Sequence, residues 1–396
     1  MATLKKSALA TLVGAAAMAA AGAANATIVV GGENGYTFSV DGNINQFYVH
    51  TNGRRGEGNT SRVRNGLLPT FLGFNIQAPE MNGLTVGARI SISPSTNGGS
   101  YFSDTEDGTG SNAMEQREAF ATVDGDFGQI LMGKALGLYG SHNILLDQTL
   151  YGVGATPGAN GDLETTLGRI GYGYDYAYWR SQIRYTTPNM NGFQAAFAVM
   201  DAPSSLATVN DGDLRTNQPR FEADLSYATA FDGGTFKGWL SGVSQKVKAD
   251  NTTVGSSSVR SQGYTIGANV NVSGFDFVAA YYRNKGLGEL GLYGDSLDAE
   301  NSRRKGRGYY VQAGYTFAGT TKASYSYGES KLDRTSLDRA TSVDFREKGR
   351  MHTFGIYHDV TANLKLVAEY SRIEDKYHVA SSEKRDVFAI GGFVSW

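Results

Sequence analysis

The sequence predicts an all-β fold, a sixteen-stranded antiparallel transmembrane β-barrel, and three observations support this prediction. Apolar and polar side chains alternate with a period of two along most of the chain. Short turns that contain Gly or Asn alternate with long polar connections. The composition is rich in small and aromatic residues, with 52 Gly, 23 Tyr and only 7 Pro among 396 residues. Many short strands produce such a composition, whereas helical domains do not.

The first 26 residues have the pattern of a secretory signal peptide. Lys5 and Lys6 form a positive n-region, an apolar run follows at 8–24, and Ala-Asn-Ala at 24–26 is a cleavage site. A single membrane anchor is the alternative, although the run is Ala-rich and short for a spanning helix. The sequence therefore predicts a signal peptide at 1–26 and a barrel domain at 27–396.

The alternation is clearest in four segments of the barrel domain. At 264–272 the even positions are apolar and the odd positions are small or polar, and 309–317 also keeps its apolar side chains on one side. Residues 221–227 carry carboxylates on the polar side, and 84–92 place Arg89 there. Such segments are strands with one apolar and one polar face. A barrel built from them crosses a membrane without any long hydrophobic run.

The connections between these strands fall into two classes by length. The short turns, most of which contain residues that accept a positive φ, lie at 82–83, 124–125, 191–192, 232–234, 273–274, 318–319 and 362–363. The long polar connections lie at 50–66, 94–114, 135–178, 201–218, 249–261, 285–307, 329–349 and 373–385. Seven turns, eight long connections and two chain ends give sixteen strands, with short turns at one rim and long loops at the other. A soluble secreted β-protein, such as a sandwich array or an adhesin, is the alternative because its strands would also alternate.

Composition and motifs indicate that the protein is not an enzyme. Without Cys, the chain has no disulfide, thiolate nucleophile or Cys-based metal site, and a net charge of −2 gives no bias toward nucleic acid. The G-x-G-x-x-G pattern at 286–291 lacks the helix that must follow it in a dinucleotide site. The five His show no metal-ligand spacing, and no G-x-S-x-G motif supports a hydrolase. We therefore predict no catalytic, cofactor-binding or metal-binding residues.

Three stretches carry a resemblance to a known family. They are Arg-Glu-Ala-Phe at 117–120 with Asp-Phe-Gly-Gln-Ile-Leu-Met-Gly-Lys at 126–134, the hairpin Trp-Arg-Ser-Gln-Ile-Arg-Tyr-Thr-Thr-Pro at 179–188 with Gly-Phe at 192–193, and the ending at 388–396. In these stretches the chain resembles the general-diffusion porins of Gram-negative bacteria. The resemblance implies a homotrimer in the outer membrane whose water-filled channels pass small hydrophilic solutes and ions. A substrate-selective channel on the same fold is the alternative function.

The resemblance also implies the partners and the shape of the pore. The long connection 135–178 would be the third loop, folded into the barrel to narrow it, and loop 94–114 with Asp104, Glu106 and Asp107 would reach a neighbouring subunit. Trp396 would be the aromatic last residue that the barrel-assembly machinery recognises, although Phe is usual in the family. Outer-membrane lipid and lipopolysaccharide would surround the barrel, and the basic run 303–305 is predicted to be solvated or to contact lipopolysaccharide phosphates.

The charges of the constriction are predicted by segment and by strand parity. The family's Pro-Glu-Phe-Gly-Gly signature is absent from 135–178, so its carboxylates Asp147, Asp162, Glu164 and Asp175 are placed only by segment, alongside Arg169. The polar faces of the strands would supply the opposing cations Arg89, Arg180 and Arg184, joined by Arg117 if Phe120 faces lipid. Opposed charges across a narrow lumen set ion preference. The alternative interpretation is that these are solvated lumen charges with no special role.

Overall fold

The computed structural model describes residues 27–54, 58–97, 114–156, 165–202, 206–209, 212–215, 218–251 and 255–396. The predicted signal peptide and loop residues Asp104, Glu106, Asp107, Asp162 and Glu164 lie outside these residues. In the part that is described, no helix has both the length and the apolar character needed to cross a membrane. The described side chains also include no cluster of three or more His, Asp or Glu residues suited to a metal ion.

Twenty strands and two short helices make up the described chain. The strands are β1 (Ile28–Gly31), β2 (Thr37–Arg54), β3 (Thr60–Arg64), β4 (Phe71–Gln77), β5 (Thr85–Pro94), β6 (Met114–Gly125), β7 (Gly128–Leu136), β8 (Trp179–Thr186), β9 (Phe193–Met200), β10 (Leu206–Val209), β11 (Gly212–Arg215), β12 (Arg220–Phe231), β13 (Gly234–Asn251), β14 (Gly255–Val272), β15 (Phe275–Lys285), β16 (Lys305–Phe317), β17 (Thr321–Asp333), β18 (Arg346–Thr361), β19 (Leu364–Tyr377) and β20 (Glu383–Ser395). The helices are α1 (Ser141–Leu145) and α2 (Ser336–Ala340).

Sixteen antiparallel strands close into a barrel, which confirms the predicted fold. The closing pair is β2 with β20, in register from Asn43 opposite Ser395 to Arg54 opposite Lys384. Strands β3 and β4 both pair with β2 and together form the second strand of the wall. The short strand β1 extends the sheet beside β2, and β10 with β11 forms a small hairpin beyond the wall.

Short turns lie at one rim, as predicted, and several need a residue that tolerates a positive φ. Asn82, Ser273 and Ala318 have φ between 48° and 54°, each followed by a Gly. The β6–β7 turn is at 126–127 rather than 124–125, because β6 continues through Gly125. The predicted loop at 249–261 is wrong in its bounds: β13 and β14 pair as far as Asn251 opposite Gly255, so two polar strands continue past the membrane.

The two faces of each strand follow the predicted parity. On β14, Ile266 is 50% exposed and points outward, whereas Thr265 is fully buried and points into the lumen. On β5, Ile90 faces outward and Arg89 faces inward. The outward apolar face is the one that meets lipid, because the outer surface of a membrane barrel is surrounded by hydrocarbon.

Substitution of neighbouring residues on β14 tests this assignment. We expect Ala268→Arg to impair assembly, because an outward-facing Arg near the membrane midplane costs about 2–4 kcal/mol. We expect Asn269→Arg to be tolerated, because Asn269 faces the lumen, where its amide bonds Asp276 at 2.6 Å. The yield of folded, heat-modifiable barrel on electrophoresis measures both. Equal tolerance at the two positions would remove the parity argument.

Candidate pore constriction

The connection between β7 and β8, residues 137–178, enters the barrel and is called the inner loop here. Its two ends meet at the wall, where the Gly137 amide donates to the Tyr178 carbonyl at 3.0 Å. Between these ends the described residues run along the inner faces of β12 to β20. The long connection that the sequence singled out is therefore inside the lumen, as the resemblance implied.

A buried carboxylate fastens the start of the inner loop. Oε2 of Glu222, on β12, accepts the backbone amides of Leu138 at 2.6 Å and Tyr139 at 2.8 Å. Oε1 of Glu222 accepts Nε of Arg220 at 2.6 Å, and both side chains are buried. The Arg compensates the buried carboxylate, which alone would be costly. Glu222 therefore joins the loop to the wall without leaving an unpaired charge.

Helix α1 is held by Asn143, whose polar groups are bonded to three strands. Its Oδ1 accepts Nε1 of Trp239 at 2.9 Å, its Nδ2 donates to Oγ1 of Thr265 at 2.8 Å, and its carbonyl accepts the Tyr310 hydroxyl at 2.9 Å. Burying an amide is favourable only when its hydrogen bonds are made. Asn143 thus fixes α1 at one position on the wall.

Asp147, one of the predicted constriction residues, lies against the wall and is 4% exposed. Its Oδ1 accepts the Thr149 amide at 2.9 Å and Nε2 of Gln312 at 2.5 Å, and its Oδ2 accepts the Tyr174 hydroxyl at 2.8 Å. The carboxylate therefore stabilises the fold of the inner loop. If the Asp147 charge affects ion preference, as predicted, its field must reach the ions through the surrounding protein rather than through water.

The far part of the inner loop is held by a second buried carboxylate and a buried Arg. Oε2 of Glu369, on β19, accepts the amides of Val153 at 2.7 Å and Gly154 at 3.1 Å. Arg169 is fully buried, and its guanidinium donates to the Met351 carbonyl and to Oγ1 of Thr353, both at 3.2 Å. Burial lowers the pKa of Arg169 from its ordinary value. Neither Glu369 nor Arg169 was predicted from the sequence to fasten the inner loop to the wall.

Apolar packing completes the attachment. Inner-loop side chains such as Leu150, Ile170 and Tyr174 pack on inward-facing wall residues that include Trp239 and Val278. A second cluster joins Val153, Ala155 and Tyr172 of the loop to Phe47, Met351, Val367, Val387, Ala389 and Phe393 of the wall. The side of the lumen next to β12 to β20 is therefore a packed protein interior, called the packed half here, and solutes are left with the side lined by β4 to β8, called the open half.

The predicted wall cations lie on this remaining half, in different electrostatic settings. Arg89 is inward and bound by two carboxylates, Asp41 and Glu118, each at 2.7 Å. Arg180 stacks over the ring of Tyr178 at 4.9 Å from its centroid. Across the described ranges, no carboxylate lies within 4.0 Å of the Arg180 or Arg184 guanidinium. These two Arg therefore carry positive charge into the lumen without a direct ion pair, although the more distant carboxylates of Glu222 and Asp224 act on them.

The parity argument for Arg117 does not hold. Phe120 is directly opposite Arg89 on the neighbouring strand and so shares its inward face. The register of β5 and β6 shifts between Ser91 and Ser93, which marks a bulge just before Glu118. Arg117 forms an ion pair with Glu115 at 2.9 Å, and its charge acts on Tyr176 of the inner loop. The bulge, rather than strict alternation, sets its position.

A closed barrel with a loop fastened inside it and charged side chains along the open half of the lumen defines a membrane channel. The chain belongs to the Gram-negative porin family, because the sequence profile described as Gram-negative porin matches residues 10–378. It is an outer-membrane channel for passive diffusion, and fold and family point to a channel rather than an enzyme. No curated protein sequence matches the chain significantly.

Solved structures show the same fold at low sequence identity. The outer membrane channel DcaP of Acinetobacter baumannii is 15% identical, with a TM-score of 0.68 over 92% of this chain and 99% of that one. The anion-selective porin from Comamonas acidovorans is 15% identical, with a TM-score of 0.64 over 91% and 100%. OmpT of Vibrio cholerae in its trimer form is 14% identical, with a TM-score of 0.54 over 92% and 100%.

Proposed function

We propose that the channel is a general pore for small hydrophilic solutes and ions, with a weak preference for anions. The observation that carries the proposal is the pair Arg180 and Arg184, inward cations that have no carboxylate within 4.0 Å among the described residues. The carboxylates that act on them are Glu222 and, for Arg184, also Asp224. The anion-selective porin from Comamonas acidovorans has the same fold, which is consistent with this preference. Planar-bilayer conductance tests the channel. Liposome swelling with sugars of graded size tests its generality, because a substrate-selective channel would pass one sugar much faster than others of equal size.

Neutralising the two cations is the direct test of the anion preference. We expect Arg180→Gln with Arg184→Gln to shift the reversal potential in a salt gradient toward cation preference, because a narrow lumen screens each charge weakly. Arg372→Gln is the matched control, since Arg372 lies on the outward face of β19. A shift of equal size in the control, or a shift toward anions in the double variant, would rule out these two residues as the source.

On the loop side, the proposed constriction includes Asp147, Asp162 and Glu164, with Arg89 and Arg117 on the wall. Support for Asp147 is its hydrogen bond with Tyr174, which joins the early and late parts of the inner loop, although its carboxylate is buried. Neutralising Asp147 and Glu164 together is expected to shift selectivity toward anions. A change confined to thermal stability would mean that Asp147 acts only as an anchor.

We further propose that the protein is a homotrimer that associates through the outward faces of β5 to β7. These faces carry small and aliphatic side chains, Val86, Ala88, Ile90, Ala119, Ala121, Val123, Ile130 and Met132. Strands β14 to β16 instead present Tyr264, Phe277 and Tyr309, which suit the membrane interface. The related fold of OmpT exists in a trimer form. Mass spectrometry in mild detergent should give a trimer, and a stable monomer would contradict the proposal.

Export and assembly complete the proposal. Residues 1–26 would be removed as a signal peptide, and the barrel-assembly machinery would recognise Trp396, whose backbone pairs with Gly42 of the closing strand at 2.9 and 3.1 Å. Arg304 does not belong to a solvated basic run: it is 3% exposed and ion-paired with Asp338 at 2.7 Å. Lipopolysaccharide phosphates would instead contact the outward depression of about 490 Å³ lined by Arg350, Arg372 and Lys384.

A further inference from the structure

A second connection also enters the barrel: residues 286–304 between β15 and β16, called the mouth loop here. It is tightly folded, with positive φ at Gly286, Gly288 and Gly291 and also at Leu290 and Tyr293. The three glycines of the G-x-G-x-x-G pattern at 286–291 are therefore explained by their positive φ angles, which Gly adopts more easily than other residues. The side chains of Leu287, Tyr293 and Leu297 are almost fully buried. An external loop exposed to water would not bury three large side chains in this way.

The mouth loop spans the lumen rather than standing above its own strands. The Tyr293 hydroxyl accepts Nη1 of Arg220 on β12 at 3.1 Å and donates to Gln245 on β13 at 2.6 Å. On the other side, Glu289 forms an ion pair with Arg346 on β18 at 2.6 Å. Along the wall, β12 is three strands before β15, and β18 is two strands after β16. The loop therefore covers the packed half of the barrel at its outer mouth.

The mouth loop and the inner loop are joined to each other. The Tyr176 amide of the inner loop donates to the Leu290 carbonyl at 2.8 Å. Next to it, Gly291 lies so close to Asp175 that a Cβ at Gly291 would be 2.8 Å from the Asp175 Cβ. Oδ2 of Asp175 accepts the Tyr139 hydroxyl at 2.8 Å and Nδ2 of Asn284 at 2.7 Å. Asp175 is thus a buried junction between the end of the inner loop, its beginning and the base of the mouth loop.

The returning limb of the mouth loop is anchored as well. Arg304 donates through Nε and Nη2 to both oxygens of Asp338, at 2.8 and 2.7 Å, and its guanidinium lies 4.3 Å from the ring centroid of Phe345. Asp338 belongs to a capping box with Thr335 at the start of α2. The bidentate contact fixes the orientation of Arg304. Both limbs of the mouth loop are therefore rigidly held at the rim.

We propose that the mouth loop is a second constriction element, which closes the outer mouth over the inner loop and confines solutes to the side lined by β4 to β8. It holds the inner loop in place through Asp175, so the two loops narrow the channel as one unit. The inference rests on the channel function, and its failure would leave that function intact.

Shortening the mouth loop tests the proposal. The Gly286 amide donates to the Arg304 carbonyl at 2.9 Å, so a short turn can replace residues 287–303. Arg304 would then keep its ion pair with Asp338. We expect the single-channel conductance to rise and larger sugars to enter liposomes. Deleting 379–381, between β19 and β20, is the control and should change neither. Unchanged conductance and size limit in a folded, shortened barrel would overturn the proposal.

A milder variant covers the case in which the shortened barrel fails to assemble. Tyr293→Phe keeps the packed ring but loses the bonds to Arg220 and Gln245. We expect it to give a folded channel with more frequent transitions to a higher conductance level, because the tip of the mouth loop is released. A single-channel record identical to that of the unmodified protein would count against the loop as a constriction element.

Acidification tests the junction itself. Burial raises the pKa of Asp175 to about 6, and the groups that face it are Tyr139 of the inner loop, Arg220 on β12, and Tyr282 and Asn284 on β15. Because this pKa lies above the ordinary 3.8, the protonated form is favoured in the folded junction. The junction is therefore weaker at neutral pH and gains stability as pH falls through about 6. We expect transitions to the higher level to become rarer over this range.

Two variants assign the pH dependence. Asp175→Asn, which resembles the protonated acid in shape and charge, should show rare transitions at every pH. His142→Gln removes a histidine of the inner loop that lies 3.2 Å from Asp224, and it should keep the pH dependence. If Asp175→Asn titrated like the unmodified protein, or His142→Gln abolished the effect, the assignment to Asp175 would be wrong.

Discussion

Removal of residues 139–176 is expected to raise the single-channel conductance several-fold. The barrel wall can close without them, because Leu136 already pairs with Trp179 and Gly137 bonds Tyr178 at 3.0 Å, so a short turn can join β7 to β8. The packed half of the lumen would then fill with water, and a wider cross-section conducts more ions. Conductance in planar bilayers measures the change, and swelling of liposomes in larger sugars measures the new size limit.

A control deletion separates the role of the inner loop from a general effect of shortening the chain. Removing 379–381, which lie between β19 and β20 at the outer rim, should leave conductance unchanged. Ion selectivity in the shortened channel should also weaken, since Arg180 and Arg184 would face a wide aqueous space in which charges are screened. A folded barrel whose conductance stayed the same after loss of 139–176 would mean that these residues do not narrow the pore.

Glu222→Ala is expected to cause the largest loss of stability of any single substitution considered. It leaves Arg220 buried without its counter-charge and removes the acceptor of the Leu138 and Tyr139 amides. Removing one partner of a buried ion pair costs about 3–5 kcal/mol. The free energy of unfolding in urea, or the temperature at which the folded band disappears on electrophoresis, measures the loss.

Two further variants divide that loss into its parts. Glu222→Gln keeps an acceptor oxygen for the loop amides but loses the charge opposite Arg220. Its free energy of unfolding should therefore lie between those of Glu222→Ala and the unmodified protein. Glu118→Ala is the matched control, because its partner Arg89 retains Asp41 at 2.7 Å. Glu118→Ala should lower the free energy of unfolding much less than Glu222→Ala. A loss at Glu118 equal to that at Glu222 would show that neither carboxylate has a special part in holding the inner loop.

The strands and turns of this barrel were predictable because each depends on local sequence. Alternation at 264–272 identified both the outward Ile266 and the inward Thr265, since the side-chain period of a strand is two wherever one face meets lipid. The turn at Ser273 and Gly274 was predictable because few residue pairs accept positive φ. Strand ends were less predictable: the pairing of β13 with β14 continues into polar residues, for which no change of solvent marks a boundary.

The site was harder to predict because its contacts join residues distant in the sequence. Glu369 bonds Val153 and Gly154 across more than 200 residues, and nothing near Glu369 marks it as an anchor. One signal was present, however. Strand β20 is apolar on both faces, with Val387 and Ala389 inward and Phe388 outward. A barrel strand with two apolar faces indicates that protein covers it from inside, as the inner loop does.

The uneven lining of the lumen also determines how the channel can change through mutation. On β4 to β8, an inward side chain such as Arg89 is bonded to other wall residues rather than to the inner loop. A replacement there leaves the inner loop in place, so permeability can change one residue at a time. Inward side chains on β12 to β20, such as Trp239 and Glu369, have fixed neighbours in the inner loop, so a viable change there requires a second change in its partner. Residues that decide what passes are thereby separated from residues that hold the barrel together, and new permeabilities can evolve without loss of folding.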